Sequence, residues 1–227
     1  MTNYYDNKGK NLFVMFSVIA TFFASALQFT ATFLQLQTYG DIDIIAILQQ
    51  YFLNIPFWLG VVRYIIIFVF AITIFKNFKF KRFLLPIYFC FSFCLTTYSF
   101  FNSIYLYSKY QMTYGLNVST IFSIIILALL FIGSLNNFKF IAIFKIGLLA
   151  QIINIGYNVV KSIFVLISSY FETTNYPSFN SYSFLTLTNI CGILAIAIQL
   201  LLPVSLLVLV TRKKQNETPN EEPQTIE

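Results

Sequence analysis

Six stretches of this chain are each long and apolar enough to cross a lipid bilayer, which removes most of the folds open to 227 residues. They run from Leu12 to Leu36, Phe57 to Phe75, Phe83 to Tyr107, Val118 to Leu135, Ile146 to Phe171 and Ser183 to Val210. A helix rises 1.5 Å per residue, so about 20 residues cover the ~30 Å of hydrocarbon. The runs are continuous and do not alternate over about ten positions, which predicts helices and not barrel strands. With 58% hydrophobic and 10% charged residues, the chain carries more apolar surface than a soluble core of this size could hide. The expectation is an all-α, polytopic integral membrane protein. It has an N-terminal segment over 1–11, a six-helix bundle over 12–210 and a disordered tail over 211–227.

Orientation follows from the basic residues. Lys8 and Lys10, then Lys76, Lys79, Lys81 and Arg82, then Lys139 and Lys145, then Arg212, Lys213 and Lys214 fall on one side of the six runs, eleven of the fourteen Lys and Arg. The opposite connections hold only Lys109, while Arg63 and Lys161 fall inside spans. Cytoplasmic loops retain positive charge, so both termini are expected in the cytoplasm. Because these charges cluster at the ends of apolar runs, the net charge of +6 is a topology signal and not a nucleic-acid footprint.

Several segments carry more than one reading. Lys8 and Lys10, the apolar run to Phe23 and then Ala24-Ser25-Ala26 have the layout of a signal peptide, but apolar character continues through Phe33 and Leu36, which favours an uncut spanning helix. Residues 38–56 begin with Gly40, Asp41 and Asp43 and place Ile44, Ile45, Leu48, Phe52 and Ile55 near helical spacing. That segment is either a short helix in the outer interface or the start of the second span. The last span is long enough to tilt or to bend at Pro203. Asn77-Phe78-Lys79-Phe80 recurs as Asn137-Phe138-Lys139-Phe140, but the match outside the tetrapeptide is poor in a chain so rich in Phe, Asn and Lys.

Chemistry in a bilayer is sought among its polar groups, because each is costly to place there. Gly147, Gln151, Asn154, Asn158 and Lys161 recur at steps of four, three, four and three, which puts them on one helical stripe. The stripe is either a solute path, with Lys161 as counter-charge for an anion, or a packing face of interhelical amide bonds. Span one repeats the pattern with Ser17, Thr21, Ser25, Gln28, Thr32 and Gln35, and span three with Ser92, Thr96, Ser99 and Ser103. Spans one, three and five are therefore expected to face the bundle interior, with Phe- and Ile-rich faces toward lipid. Arg63, about two turns into span two, either snorkels to the headgroups or pairs with Asp41 or Asp43 near the outer interface.

What the chain lacks narrows the chemistry further. With no histidine, haem ligation by histidine, the usual zinc-protease helix and Ser-His or Cys-His catalysis are excluded. All eight acidic residues lie outside the six runs, so an intramembrane carboxylate relay is not available. Cys90 and Cys94 are spaced i, i+4, but three thiols without histidine make a poor soft-metal site. No metal, cofactor or enzymatic activity is expected.

In span number and composition, with the lysine-rich turn Lys76 to Arg82 and the tail Arg212 to Lys214 as its nearest motifs, the chain resembles multi-span proteins encoded beside type VII secretion clusters of Gram-positive bacteria. That resemblance implies a bacterial cytoplasmic membrane and an accessory role in secretion. Two functions follow as expectations. The first is a non-enzymatic protein acting through contacts with other membrane proteins or with itself, as a secretion subunit or an immunity-type protein. The second is a small permease or channel-like transporter for an anionic or zwitterionic solute.

Overall fold

The computed structural model describes residues 7–37, 55–76, 81–110, 118–173 and 179–211. These residues are helical apart from short turns, with no strand among them. The helices are α1 (Lys8–Gln37), α2 (Ile55–Phe75), α3 (Lys81–Tyr110), α4 (Val118–Phe138), α5 (Ile141–Thr173), α6 (Phe179–Gln199) and α7 (Leu201–Val210). Six candidate spans are long and apolar enough to cross a membrane, α6 and α7 together supplying the last. Residues 38–54, the first Asn-Phe-Lys-Phe at 77–80 and the tail from 212 onward lie outside the described residues.

The second candidate span covers Phe57–Phe75, as its apolar run requires, whereas α5 starts at Ile141, five residues before the apolar run from Ile146. The α4–α5 link therefore shrinks to Lys139 and Phe140. Asn136 (φ 49°) and Phe138 (φ 64°) turn the chain there in the left-handed region. Asparagine adopts that conformation readily, but a bulky residue does not. Phe138 is held in it by burial, with its ring 5.0 Å from that of Phe144.

Pro203 sets the break in the last span. It has no N–H to give the Gln199 carbonyl and its ring crowds that carbonyl, so the helix is interrupted at Leu200 and resumes at Leu201. Proline also occurs at Pro86, near the start of α3, without a break.

Each helix packs on its neighbours in sequence, and α6 and α7 close the circuit onto α1 and α5. Helices on opposite sides of this six-membered ring make no close backbone approach among the described residues. With neighbouring axes 8–10 Å apart, opposite axes in such a ring lie about 16–20 Å apart. Side chains decide whether the middle is filled. Both described chain ends lie at one end of the ring, where the Lys10 ammonium donates to the Thr211 carbonyl.

Toward that end the middle is solid. Val14, Val18, Phe70, Leu85, Leu130, Phe144, Leu148 and Leu206 are buried in one apolar cluster. Between membrane helices lipid is as apolar as leucine, so close packing supplies the attraction. The tightest point is Gly133, whose absent Cβ would lie 2.5 Å from the Phe144 backbone. Phe16, Phe23, Ile153 and Phe164 are exposed on the outside of the ring, as the lipid-facing surface requires.

Candidate solute chambers

Along every span the residues change from large and apolar to small and polar on passing away from the end that carries the termini. In α1 the order is Val14 and Val18, then Thr21 and Gln28. In α3 it is Leu85 and Phe89, then Ser92 and Thr96, and in α5 Phe144 and Leu148, then Gln151 to Lys161. Even-numbered spans run the other way and show the reverse order, with Arg63 and Tyr64 before Phe70 and Ile74, and Thr188 to Gln199 before Leu206 and Leu209. Serine and threonine are too small to fill a six-helix ring, so the far half stays open.

The opening has two parts. An inner chamber of about 280 Å³ is lined from all six spans. Its polar wall includes Thr21, Arg63, Tyr64, Tyr88, Ser92, Thr96, Gln151 and Gln199, and its floor is Leu130, Leu148, Leu202 and Leu206. A wider chamber of about 600 Å³ lies further from the termini, lined by Gln28, Asn154, Asn158, Lys161, Ser162, Thr188 and Asn189 among others. Ser123, Gln151, Ile155 and Gln199 line both, so the two adjoin at that level. Polar walls and this volume make the space hospitable to water.

Two residues on the inner chamber's wall keep a buried atom without a hydrogen-bond partner, Arg63 Nε and Gln151 Oε1, while the Ser92 hydroxyl lies against the Tyr88 side chain. The Arg63 guanidinium lies 4.9 Å from the centroid of the Tyr64 ring, and Tyr88 is within electrostatic reach of Arg63. Tyr64 is anchored by a 2.6 Å hydrogen bond between its hydroxyl and that of Ser25 on α1. No acidic residue is among those lining either chamber. The chambers thus hold Arg63 in the inner part and Lys161 in the outer part, with no carboxylate among the described lining residues.

The stripe Gln151, Asn154, Asn158 and Lys161 lies together on one chamber wall, and all four side chains line it. Asn154 also bonds across to Ser123 on α4, with Nδ2 3.3 Å from Oγ, and Gln199 bonds to Gln28 on α1 at 3.3 Å. Packing and lining are therefore shared by one ridge. Of the other stripes, Ser17, Thr21 and Ser92 are buried, whereas Ser99 is exposed. The side chains of Thr32 and Gln35 lie outside the described residues. Arg63 lines the inner chamber; Asp41 and Asp43, its candidate partners, lie outside the described residues.

Sequence reasoning missed Tyr64, Tyr88 and Gln199. Tyr88, Ser92 and Thr96 stand four apart on one face, and Thr188, Gly192, Ile196 and Gln199 follow at steps of four, four and three, so a signal existed in both helices. Cys90, Cys94 and Cys191 are free thiols. No protein-family model, curated protein or solved structure matches the chain.

Proposed function

We propose that this is a multi-pass cell-membrane protein of the permease type, which admits a small anionic solute to its chambers from the face opposite its termini. Both termini then lie in the cytoplasm, on the side carrying eleven basic residues. The observation that carries the reading is the placing of Arg63 and Lys161 in two adjoining polar chambers with no acidic residue among the described lining residues. Arg63 is half-buried, and a cation so placed without a carboxylate favours an anionic guest, which offsets its desolvation.

This is the second of the two functions expected from sequence. The first, a non-enzymatic partner protein of a secretion or immunity system, would use the polar ridge of α5 for docking in the bilayer. That ridge lies against the chamber, while the outward residues of the same helix include Ile153, Tyr157 and Phe164. The chemistry asked of the chain is binding and passage. No catalytic role for the ridge enters the reading.

Lys161 is exposed within the outer chamber and has no ion pair among the described residues. It supplies capture and contributes little to the fold. In lipid nanodiscs, short-chain carboxylates are expected to raise the melting temperature of the full chain, and choline is not. Lys161→Ala should weaken that carboxylate binding roughly tenfold, the effect of one unpaired charge at contact distance in a partly hydrated site. Its membrane abundance and ligand-free melting temperature should be unchanged. Absence of any anion-dependent shift contradicts the reading. So does a stoichiometric partner protein recovered with the full chain after crosslinking in native membranes, if carboxylates then have no effect.

A further inference from the structure

Resting on the anion-chamber reading, we infer that the guest of the outer chamber is a polyhydroxylated monocarboxylate, an acid of the sugar-acid class. The reading comes from the amides of the chamber wall. Gln28 on α1, Asn154 and Asn158 on α5, and Asn189 and Gln199 on α6 all line it. Asn158 and Asn189 are half-buried and make no side-chain hydrogen bond to a described residue, which leaves their amides to whatever fills the chamber. Asn154 and Gln199 each give one N–H to a neighbouring helix, at 3.3 Å to Ser123 Oγ and to Gln28 Oε1, and keep a second N–H and a carbonyl oxygen beyond those bonds. Water meets both kinds of group. A hydrocarbon guest would strip that water and leave the amides unpaired, whereas a chain of hydroxyls, each a donor and an acceptor, replaces it. Ile155, Ile193 and Ile196 also line the chamber and take the C–H side of such a chain.

Charge limits the guest to one carboxylate. Arg63 and Lys161 are the only charged side chains lining the two adjoining chambers among the described residues, one in each. Lys161 stands ten residues beyond Gln151 of the shared level, about 15 Å along α5, a span longer than a small dicarboxylate. One negative charge is therefore met at a time, and a second would stay uncompensated. No aromatic ring is among the described residues lining the outer chamber, so a flat aromatic acid finds no stacking partner there. The volume of about 600 Å³ lies within the range of small-molecule sites and has room for a six-carbon acid.

The test is calorimetric titration of the full chain in nanodiscs, with empty nanodiscs as the blank, using gluconate, hexanoate and sorbitol. Gluconate is expected to bind at least about 100-fold tighter than hexanoate, about tenfold for each of two amides that the hydrocarbon chain would leave unpaired. Sorbitol, with the hydroxyls and no charge, should bind at least about tenfold more weakly than gluconate. Asn158→Leu should cut the preference for gluconate over hexanoate about tenfold while the ligand-free melting temperature holds, since that amide bonds to no described residue. Hexanoate binding as tightly as gluconate overturns the assignment without any variant and leaves the anion-chamber reading standing. A preference undiminished in a folded Asn158→Leu protein also overturns it. Sorbitol binding as tightly as gluconate, or no binding of either acid, overturns both.

Discussion

Gly133→Val is expected to be the most damaging single substitution outside the chambers. A Cβ at this position would lie 2.5 Å from both the Cα and the N of Phe144 and 2.7 Å from its Cβ. The first two are backbone atoms and the Cβ is fixed by them, so no rotamer change relieves the contact, and α4 and α5 must separate by about 1 Å to reach ordinary carbon contact near 3.5 Å. Separation would loosen Phe144, which is fully buried and packs its ring at 5.9 Å on Phe89 and 5.0 Å on Phe138. Overpacking of this kind typically costs 1–3 kcal/mol, and the valine methyls put it at or above about 3 kcal/mol. Thermal unfolding followed by size-exclusion fluorescence should show a fall of at least about 10 °C or loss of the monodisperse peak. Gly60→Ala and Gly156→Ala are the controls. Neither glycine has any atom within 4 Å of its built Cβ, and both lie inside helices, so alanine should leave stability unchanged or raise it slightly. If Gly133→Val melts with the wild type, the α4–α5 contact is not where the described structure puts it.

Arg63→Leu is expected to separate stability from binding. In a purely structural role the arginine would be paired, and its loss would destabilise the ring. Its Nε is buried without a partner and no acidic residue is among those lining its chamber, so its charge is held at a cost. Replacing such a charge by an apolar residue of similar reach is neutral or stabilising, by something on the order of 1 kcal/mol. The melting temperature of the ligand-free protein should therefore hold or rise by a few degrees. Carboxylate binding should fall at least about 100-fold, since the charge-assisted contact is the main anchor of the anion. Strain kept at a functional position at the expense of stability is a common signature of a binding site. A variant that unfolds, or one that still binds carboxylates normally, removes Arg63 from the site.

The parts of this fold legible in sequence are those set by hydrophobic length. Phe57–Phe75 could be bounded at both ends because charge or Pro stops it, and the break near Pro203 follows from the missing N–H and the ring's crowding of the preceding turn. The polar stripe of α5 could be placed on one face because its interruptions of an apolar helix are regular. Arg63 could not be placed. It shares a face with Ile67, Phe70 and Ile74, which are the buried ones, but every face of α2 is apolar, so no contrast marks the inner side. The start of α5 was set too late for a related reason. Charge at Lys139 and Lys145 marks a cytoplasmic connection with Lys145 near the end of its helix, although a two-residue link with left-handed Asn136 and Phe138 turns the chain sooner. The expectation that spans one, three and five line the interior was too narrow, because a closed ring gives every helix an inner face. Ring closure depends on contacts between α1 and α6, which are far apart in the chain and leave no local pattern.

The central claim is that an aqueous, anion-accepting space enters the ring from the end opposite the termini and stops at the apolar cluster. Cysteine accessibility tests it directly, in a full chain whose Cys90, Cys94 and Cys191 have first been replaced by alanine. Single cysteines at Asn158, Gln151 and Phe144 step down α5 from the outer chamber through the shared level to the plug. A membrane-impermeant anionic thiosulfonate added outside intact cells should modify position 158 fastest and position 151 more slowly, and should leave position 144 untouched. Positions 158 and 151 as inert as position 144 would mean that no such space is open to water, and the account would fail.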